Sequence, residues 1–258
     1  MRCGTQFKME DRIYNTLATA KSGYIIAPAG CGKTEAIVKC VKNFTVGKQL
    51  ILTHTHAGVS ALKKRFRKHE LSLEKYHVDT ISGWALKWVS HYPKLSNYSG
   101  CLPIPNNGDW ASIYVSAARL LQQQFVKEVI QFSYSGILVD EYQDCTVPMH
   151  NLIVELRNIL PCRILGDPLQ AIFSISNNDP LICWNEAIKC FSPKLGEMLT
   201  PYRWINVQNR TLGDWLINVR QEFEEGKRPN FKDSPIKIER HDINVRTSKL
   251  QSLVRKLN

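Results

Sequence analysis

Short apolar runs alternate with helical apolar spacing along the first two hundred residues. Tyr24–Ala27 is an apolar run; after a glycine-rich turn, Ile37, Cys40, Val41 and Phe44 recur at intervals that place them on one helix face. Leu50–Leu52 reads as a buried strand, and Val59–His69 as the helix behind it. A short strand near Val78 leads into a helix bearing Trp84 and Trp88. Ile113, Ala117, Leu121, Phe125, Val129 and Phe132 form a continuous seam at helical spacing, the pattern of a core-facing stripe. "GILVDE" is a strand running into carboxylates, and Leu152, Ile153, Leu156, Ile159 and Leu160 mark the next helix. "CRILGD" is again a strand that ends on an acid.

Strands alternating with helices, with polar residues at the strands' C-terminal ends, predict an α/β fold. Its sheet is expected to be mostly parallel and flanked by helices on both faces. Residues 93–109 are rich in Pro, Gly and Asn and predict a loop at the edge of a small insertion near 91–135. From Pro201 the character changes. "NRTLGDWLINVRQEFEEG" reads as an amphipathic helix, and a polar tail with short alternations such as Ile236 and Ile238 follows. The expected organisation is one domain over 1–200 and the start of a second over 201–258.

Composition narrows the class. Hydrophobic residues make up 43% of the 258, enough for a core. No apolar run is long enough to span a bilayer, and the N-terminal stretch carries charges where a signal peptide needs an apolar one. A cytoplasmic location without a membrane partner is expected. The eight cysteines form no CxxC pair and no zinc-type cluster, so reduced, mostly buried thiols are expected. The net charge of +11 is unevenly spread: the first hundred residues are strongly basic and the middle hundred net acidic. A basic front part suits a polyanionic partner, because neutralising phosphates releases counterions.

The turn after the first strand carries the clearest chemistry. Ala27, Pro28, Ala29, Gly30, Cys31, Gly32, Lys33 and Thr34 match the phosphate-loop pattern in all but its first position, where Ala replaces Gly. Gly30 and Gly32 let the backbone curl so that consecutive N–H groups point inward. Lys33 would reach the β- and γ-phosphates, and Thr34 would ligate Mg²⁺ as the helix begins. At the end of a later strand, Asp140 is placed to hold Mg²⁺ and Glu141 to polarise an attacking water. Asp144 is read either as a cap of the next turn or as a group that orders Glu141. Gln170 is read as a γ-phosphate sensor and Asp167 as functional, with a simple turn before Pro168 as the alternative. ATP and Mg²⁺ are the expected cofactors.

Taken together, these segments resemble the UvrD/Rep/PcrA family of superfamily 1 DNA helicases, over roughly Tyr24 to Arg203. The resemblance implies a RecA-like motor domain and an ATP hydrolase that acts on single-stranded DNA or a single/double-strand junction. "APAGCGKT" is similar to that family's phosphate loop and "VDEYQD" to its acidic motif. "LTHTHAGVSALKKR" resembles a DNA-contacting motif, which implies roles for Thr53, His54, Thr55, Lys63 and Lys64. "DTISGWA" resembles a second such strand end, at Thr80. "LGDPLQAIF" is similar to the motif with the sensing glutamine, Gln170, and an aromatic near the DNA track, Phe173. "LTPYRW" resembles the motif whose arginine, Arg203, reaches the γ-phosphate.

Three departures stand out. No Gln stands at the family's spacing upstream of the loop to read adenine, and the stretch between Thr80 and Asp140 is too short for a large insertion. Beyond Arg203, "SKLQSLVRKLN" resembles none of the family's later motifs, which include an arginine finger worth ~10³–10⁵ in rate. One complete motor domain and part of a second are therefore expected. Such a chain would bind ATP·Mg²⁺, hydrolyse it poorly alone, and require a C-terminal motor domain or a partner protein. Two other readings of the same residues are an ATP-binding regulatory or assembly module and a P-loop small-molecule kinase.

Overall fold

The computed structural model describes residues 3–100, 110–171, 180–229, 231, 234 and 235, with only the backbone of 3–10. Among the described residues there are six strands: β1 (Ser22–Ile26), β2 (Gln49–Thr53), β3 (Tyr76–Thr80), β4 (Gly136–Val139), β5 (Cys162–Gly166) and β6 (Lys194–Glu197). They form one sheet in the order β3-β2-β4-β5-β1-β6, and every neighbouring pair is parallel. All strands therefore end at the same edge of the sheet. β5 lies between β1, which feeds the glycine-rich turn, and β4, which feeds the acidic pair.

The helices are α1 (Cys3–Thr19), α2 (Lys33–Asn43), α3 (His56–Lys68), α4 (Ile81–His91), α5 (Pro93–Ser96), α6 (Trp110–Leu120), α7 (Gln124–Ser133), α8 (Val147–Arg157), α9 (Trp184–Cys190), α10 (Tyr202–Asn206) and α11 (Arg210–Glu224). None of the described helices is long and apolar enough to cross a membrane. Two apolar cores sandwich the sheet. Ile25, Ile51, Leu138 and Leu165 pack on one face with Leu17 of α1, Ile37 and Val41 of α2, and Leu62 and Phe66 of α3. Leu50, Leu52, Ile137, Val139 and Ile164 pack on the other with Trp84 of α4, Ile113 and Ala117 of α6, and Leu152 and Leu156 of α8. Successive strand residues thus serve opposite cores, which is why the strands are apolar throughout rather than alternating. Each fully buried Leu or Ile contributes about 1.5–3 kcal/mol.

Helix starts at the edge where the strands end are fixed by side-chain caps. The Thr55 hydroxyl accepts the Gly58 N–H at 3.0 Å to open α3, and the Thr80 hydroxyl accepts the Gly83 N–H at 2.9 Å to open α4. Both remove an otherwise unpaired first-turn donor.

The seam predicted from Ile113 to Phe132 does not form one core-facing stripe. The chain turns at 121–123, where the Gln122 and Gln123 N–H groups donate to Arg119 and Leu120 carbonyls at 3.1 and 3.0 Å. That turn resets the helical phase, so α7 buries Val126 and Ile130 instead. Phe125, Val129 and Phe132 are 39%, 42% and 92% exposed. β6, which no apolar run announces, forms at the sheet edge on β1. Edge strands are commonly short and charged, and this one carries Lys194 and Glu197.

The chain divides into two compact units, Met1–Thr200 and Pro201–Asn258. In the second, Asn209 caps α11 by accepting the Leu212 N–H at 3.3 Å. The largely buried Arg220 pairs with Glu224 at 2.9 Å on the same helix. Ile236 and Ile238 lie outside the described residues.

Candidate functional site

The parallel sheet delivers the ends of β1, β2, β4 and β5 to one edge, and Thr34, Thr53, Asp140, Glu141 and Gln170 gather there. The Ala27 N–H donates to the Gly166 carbonyl at 3.0 Å, which keeps the turn in register with β5. Within the turn, the Cys31 N–H donates to the Pro28 carbonyl at 3.1 Å. Gly30 and Gly32 have φ of 79° and 93°, a left-handed backbone that side chains disfavour. The Cys31 side chain is buried.

Lys33, the first residue of α2, is 6% exposed. Its Nζ donates to the Ala27 carbonyl at 2.9 Å, so the side chain folds back across the turn. The same ammonium lies 3.3 Å from Oε2 of Glu141. This contact joins the turn after β1 to the acidic residues after β4.

Asp140 is 5% exposed at the end of β4. Its N–H donates to the Leu52 carbonyl at 2.9 Å, and its carboxylate Oδ1 accepts the Glu141 N–H at 3.0 Å. Burial, and next the Glu141 charge, push its carboxyl up to about 7, against the opposing pull of Lys33 and the Glu141 N–H. Asp144 is raised to about 6 by burial first and by Glu141 second. Its Oδ1 is buried without a hydrogen-bond partner among the described residues. Glu141 has a φ of 55°, a left-handed conformation for a residue with a side chain, which costs about 1–3 kcal/mol.

At the end of β5, the Asp167 carboxylate accepts the Leu169 N–H at 3.1 Å through Oδ1. Its Oδ2 accepts the side-chain amide of Gln170. Asp167 therefore both begins the turn and holds Gln170.

A cavity of about 460 Å³ is bordered by Thr34, Thr53, His54, Thr55, Asp140, Glu141, Gln143, Asp144 and Gln170. It is large enough for a triphosphate tail and its cation. The Asp140 carboxylate and the Thr34 hydroxyl are hard oxygen donors of the kind that Mg²⁺ takes. Among the described residues no three His, Cys, Asp or Glu side chains converge to hold a metal alone. Mg²⁺ commonly draws its remaining ligands from water and substrate phosphates, so the donor set fits that ion.

The residues assigned to nucleic acid by resemblance fall in several places. Thr53 is buried at the end of β2 and borders the cavity. His54 Nε2 lies 3.3 Å from the Cys145 Sγ, and burial pulls its pKa down to about 4, so its ring is neutral at pH 7. Thr55 is exposed, and its hydroxyl is engaged as the α3 cap. Lys63 and Lys64 are exposed on α3. The Thr80 side chain is buried and capping α4. Phe173 lies outside the described residues. Arg203 lies on α10, in the second unit.

Two groups at this edge escaped the sequence reading. Gln143 is 4% exposed and bridges Glu141 and the backbone of Asp167. The His54–Cys145 pair joins the β2 end to the turn after β4. A buried glutamine leaves no periodic signal; its place inside "VDEYQD" was the one available hint.

A parallel sheet whose glycine turn carries a lysine, with carboxylates and a cavity of about 460 Å³ at the same edge, is the architecture of a P-loop NTPase domain. Residues 10–176 match the family described as an AAA domain, and the chain belongs to that family. An 83-residue stretch is 32% identical to an ATP-dependent helicase/nuclease subunit from Oenococcus oeni (strain ATCC BAA-331 / PSU-1). That match covers 32% of this chain and 7% of that protein. The chain thus spans only a small part of that relative's length. A solved complex of the Arterivirus nonstructural protein 10, a helicase, with DNA aligns over 73% of this chain and 37% of its own, at 14% identity and a TM-score of 0.40.

Proposed function

We propose that this chain is the ATP-binding front part of a UvrD-like, ATP-dependent DNA helicase or translocase. The observation that carries the reading is the meeting of Lys33 with Glu141, a residue that borders one cavity together with the buried Asp140, Thr34 and Gln170. The local identity to a helicase/nuclease protein supports the nucleic-acid half of the proposal.

In this reading the Ala27–Thr34 turn cradles the triphosphate with backbone N–H groups, and Lys33 exchanges Glu141 for phosphate oxygens. Thr34 and Asp140 would hold Mg²⁺, which would supply neutralisation of the charge developing on the transferred phosphoryl group. Glu141 orients and deprotonates the attacking water, and Gln170 senses the γ-phosphate. Single-stranded DNA follows the exposed basic face of α3, with Lys63 and Lys64 on its phosphates. Thr53, Thr55 and Thr80 shape the strand ends and helix starts beneath that track. Residues 201–258 begin a second motor domain, to which Arg203 belongs.

The test is single-turnover hydrolysis of ATP with protein in excess, with and without a single-stranded oligonucleotide. Slow, Mg²⁺-dependent turnover that disappears in Lys33→Ala is expected. Identical turnover in the two proteins would overturn the proposal.

A further inference from the structure

We propose that Gln143 is a positioning residue: it fastens Glu141 to the end of β5, so that Glu141 and the Asp167–Gln170 turn respond to nucleotide as one unit. This inference rests on the nucleotide reading above and deepens it.

Three bonds define the role. The side-chain Oε1 of Gln143 accepts the Asp167 N–H at 3.0 Å. Its Nε2 donates to Glu141 Oε2 at 2.9 Å and, more weakly, to Asp144 Oδ2 at 3.4 Å. The partners fix the amide orientation. Turned over, it would set N–H against N–H at Asp167 and a carbonyl oxygen against two carboxylates. From Asp167 the line continues through its carboxylate to the Gln170 amide. In the other direction, the same Glu141 oxygen meets Lys33. One polar chain therefore runs Lys33–Glu141–Gln143–Asp167–Gln170, across the ends of β1, β4 and β5.

Neighbouring backbone leaves room for this amide. A Cβ on Gly166 would lie 2.9 Å from Gln143 Oε1 and 2.8 Å from the Trp184 ring, so a side chain there would displace one or both. Glu141 itself needs holding, because its left-handed backbone persists only where surrounding contacts over-determine it. Lys33 and Gln143 are its side-chain partners among the described residues. When phosphate takes Lys33, Gln143 is the partner that remains to aim the carboxylate.

Two variants separate positioning from simple support. Gln143→Met keeps volume and loses all three bonds. Gln143→Glu keeps the oxygen that accepts the Asp167 N–H but turns the donor facing Glu141 and Asp144 into an acceptor.

Amide hydrogen exchange with a non-hydrolysable ATP analogue and Mg²⁺ is read over residues 27–38 and 163–171. In the wild type both segments should slow; in Gln143→Met only the first should. Single-turnover hydrolysis by Gln143→Glu should lose ~10²-fold in rate, with KM within about threefold, since a general base commonly contributes ~10²–10⁴. Measured against the wild type at the same pH, so that protonation of Glu141, Asp140 and Asp144 cancels, the deficit should shrink as pH falls and the introduced acid regains a proton to donate. Continued slowing of 163–171 in Gln143→Met overturns the inference, as does a pH-independent deficit in Gln143→Glu. If the wild type slows over 27–38 alone, the nucleotide reading stands and this inference falls. If it slows over neither, both fall.

Discussion

Replacing Asp140 by Asn should stabilise the protein while ending its turnover, and the size of the gain follows from the burial of one carboxyl group. Asp140 is 5% exposed, and burial lifts its pKa from 3.8 to about 7, with the Glu141 charge adding to the effect. Because the folded pKa lies above the unfolded one, the protonated form favours folding. That contribution is whole below pH 3.8 and is lost as pH rises through 7. A rise of this size corresponds to roughly 4 kcal/mol missing at pH 8, and about half of that at pH 5.5. Asn stays neutral, and its carbonyl oxygen can still accept the Glu141 N–H that Asp140 accepts at 3.0 Å. The variant should therefore melt roughly 10 °C above the wild type at pH 8 and gain about half as much at pH 5.5. Thermal melts in Mg²⁺-free buffer at both pH values make the comparison. An equal gain at the two pH values, or a loss at pH 8, would refute the electrostatic argument.

Other consequences are smaller. Gly32→Ala forces a side chain into a φ of 93° and should cost about 1–2 kcal/mol in a urea melt; no loss would remove the case for a strained loop. Thr55→Ala should lose about 1 kcal/mol with the α3 cap, while Thr55→Ser should keep nearly all of it; equal losses in the two would mean that the hydroxyl does not cap. Replacing Lys63 and Lys64 together by Ala should flatten the salt dependence of single-stranded DNA binding, lowering the slope by ~1.4 in a fluorescence anisotropy series. An unchanged slope would take α3 off the DNA track.

The sheet and the phosphate turn were legible in the sequence because their signals are local. Buried parallel strands are short apolar runs, and Leu50–Leu52 and "GILV" fall inside β2 and β4. A glycine turn between strand and helix has few alternative folds, and Gly30 and Gly32 do adopt positive φ. What escaped depends on distant partners. Phe125, Val129 and Phe132 share a helical spacing with Ile113 and Ala117, but the phase was reset by three residues of turn that periodicity cannot register. β6 is held by β1 rather than by its own apolar content. Gln143 has its role only because the ends of β4 and β5 are adjacent, and strand order is not written in any single segment.

In the proposed function the Ala27–Thr34 turn, with Asp140 and Glu141, grips ATP·Mg²⁺. Isothermal titration of the wild type and of Lys33→Ala with ATP, each with and without Mg²⁺, addresses it directly. Wild-type binding should strengthen with Mg²⁺ and weaken about 10- to 100-fold in Lys33→Ala, the worth of one charge-assisted contact of about 1.5–3 kcal/mol. Equal affinity in the two proteins, or no heat from the wild type, would contradict the account.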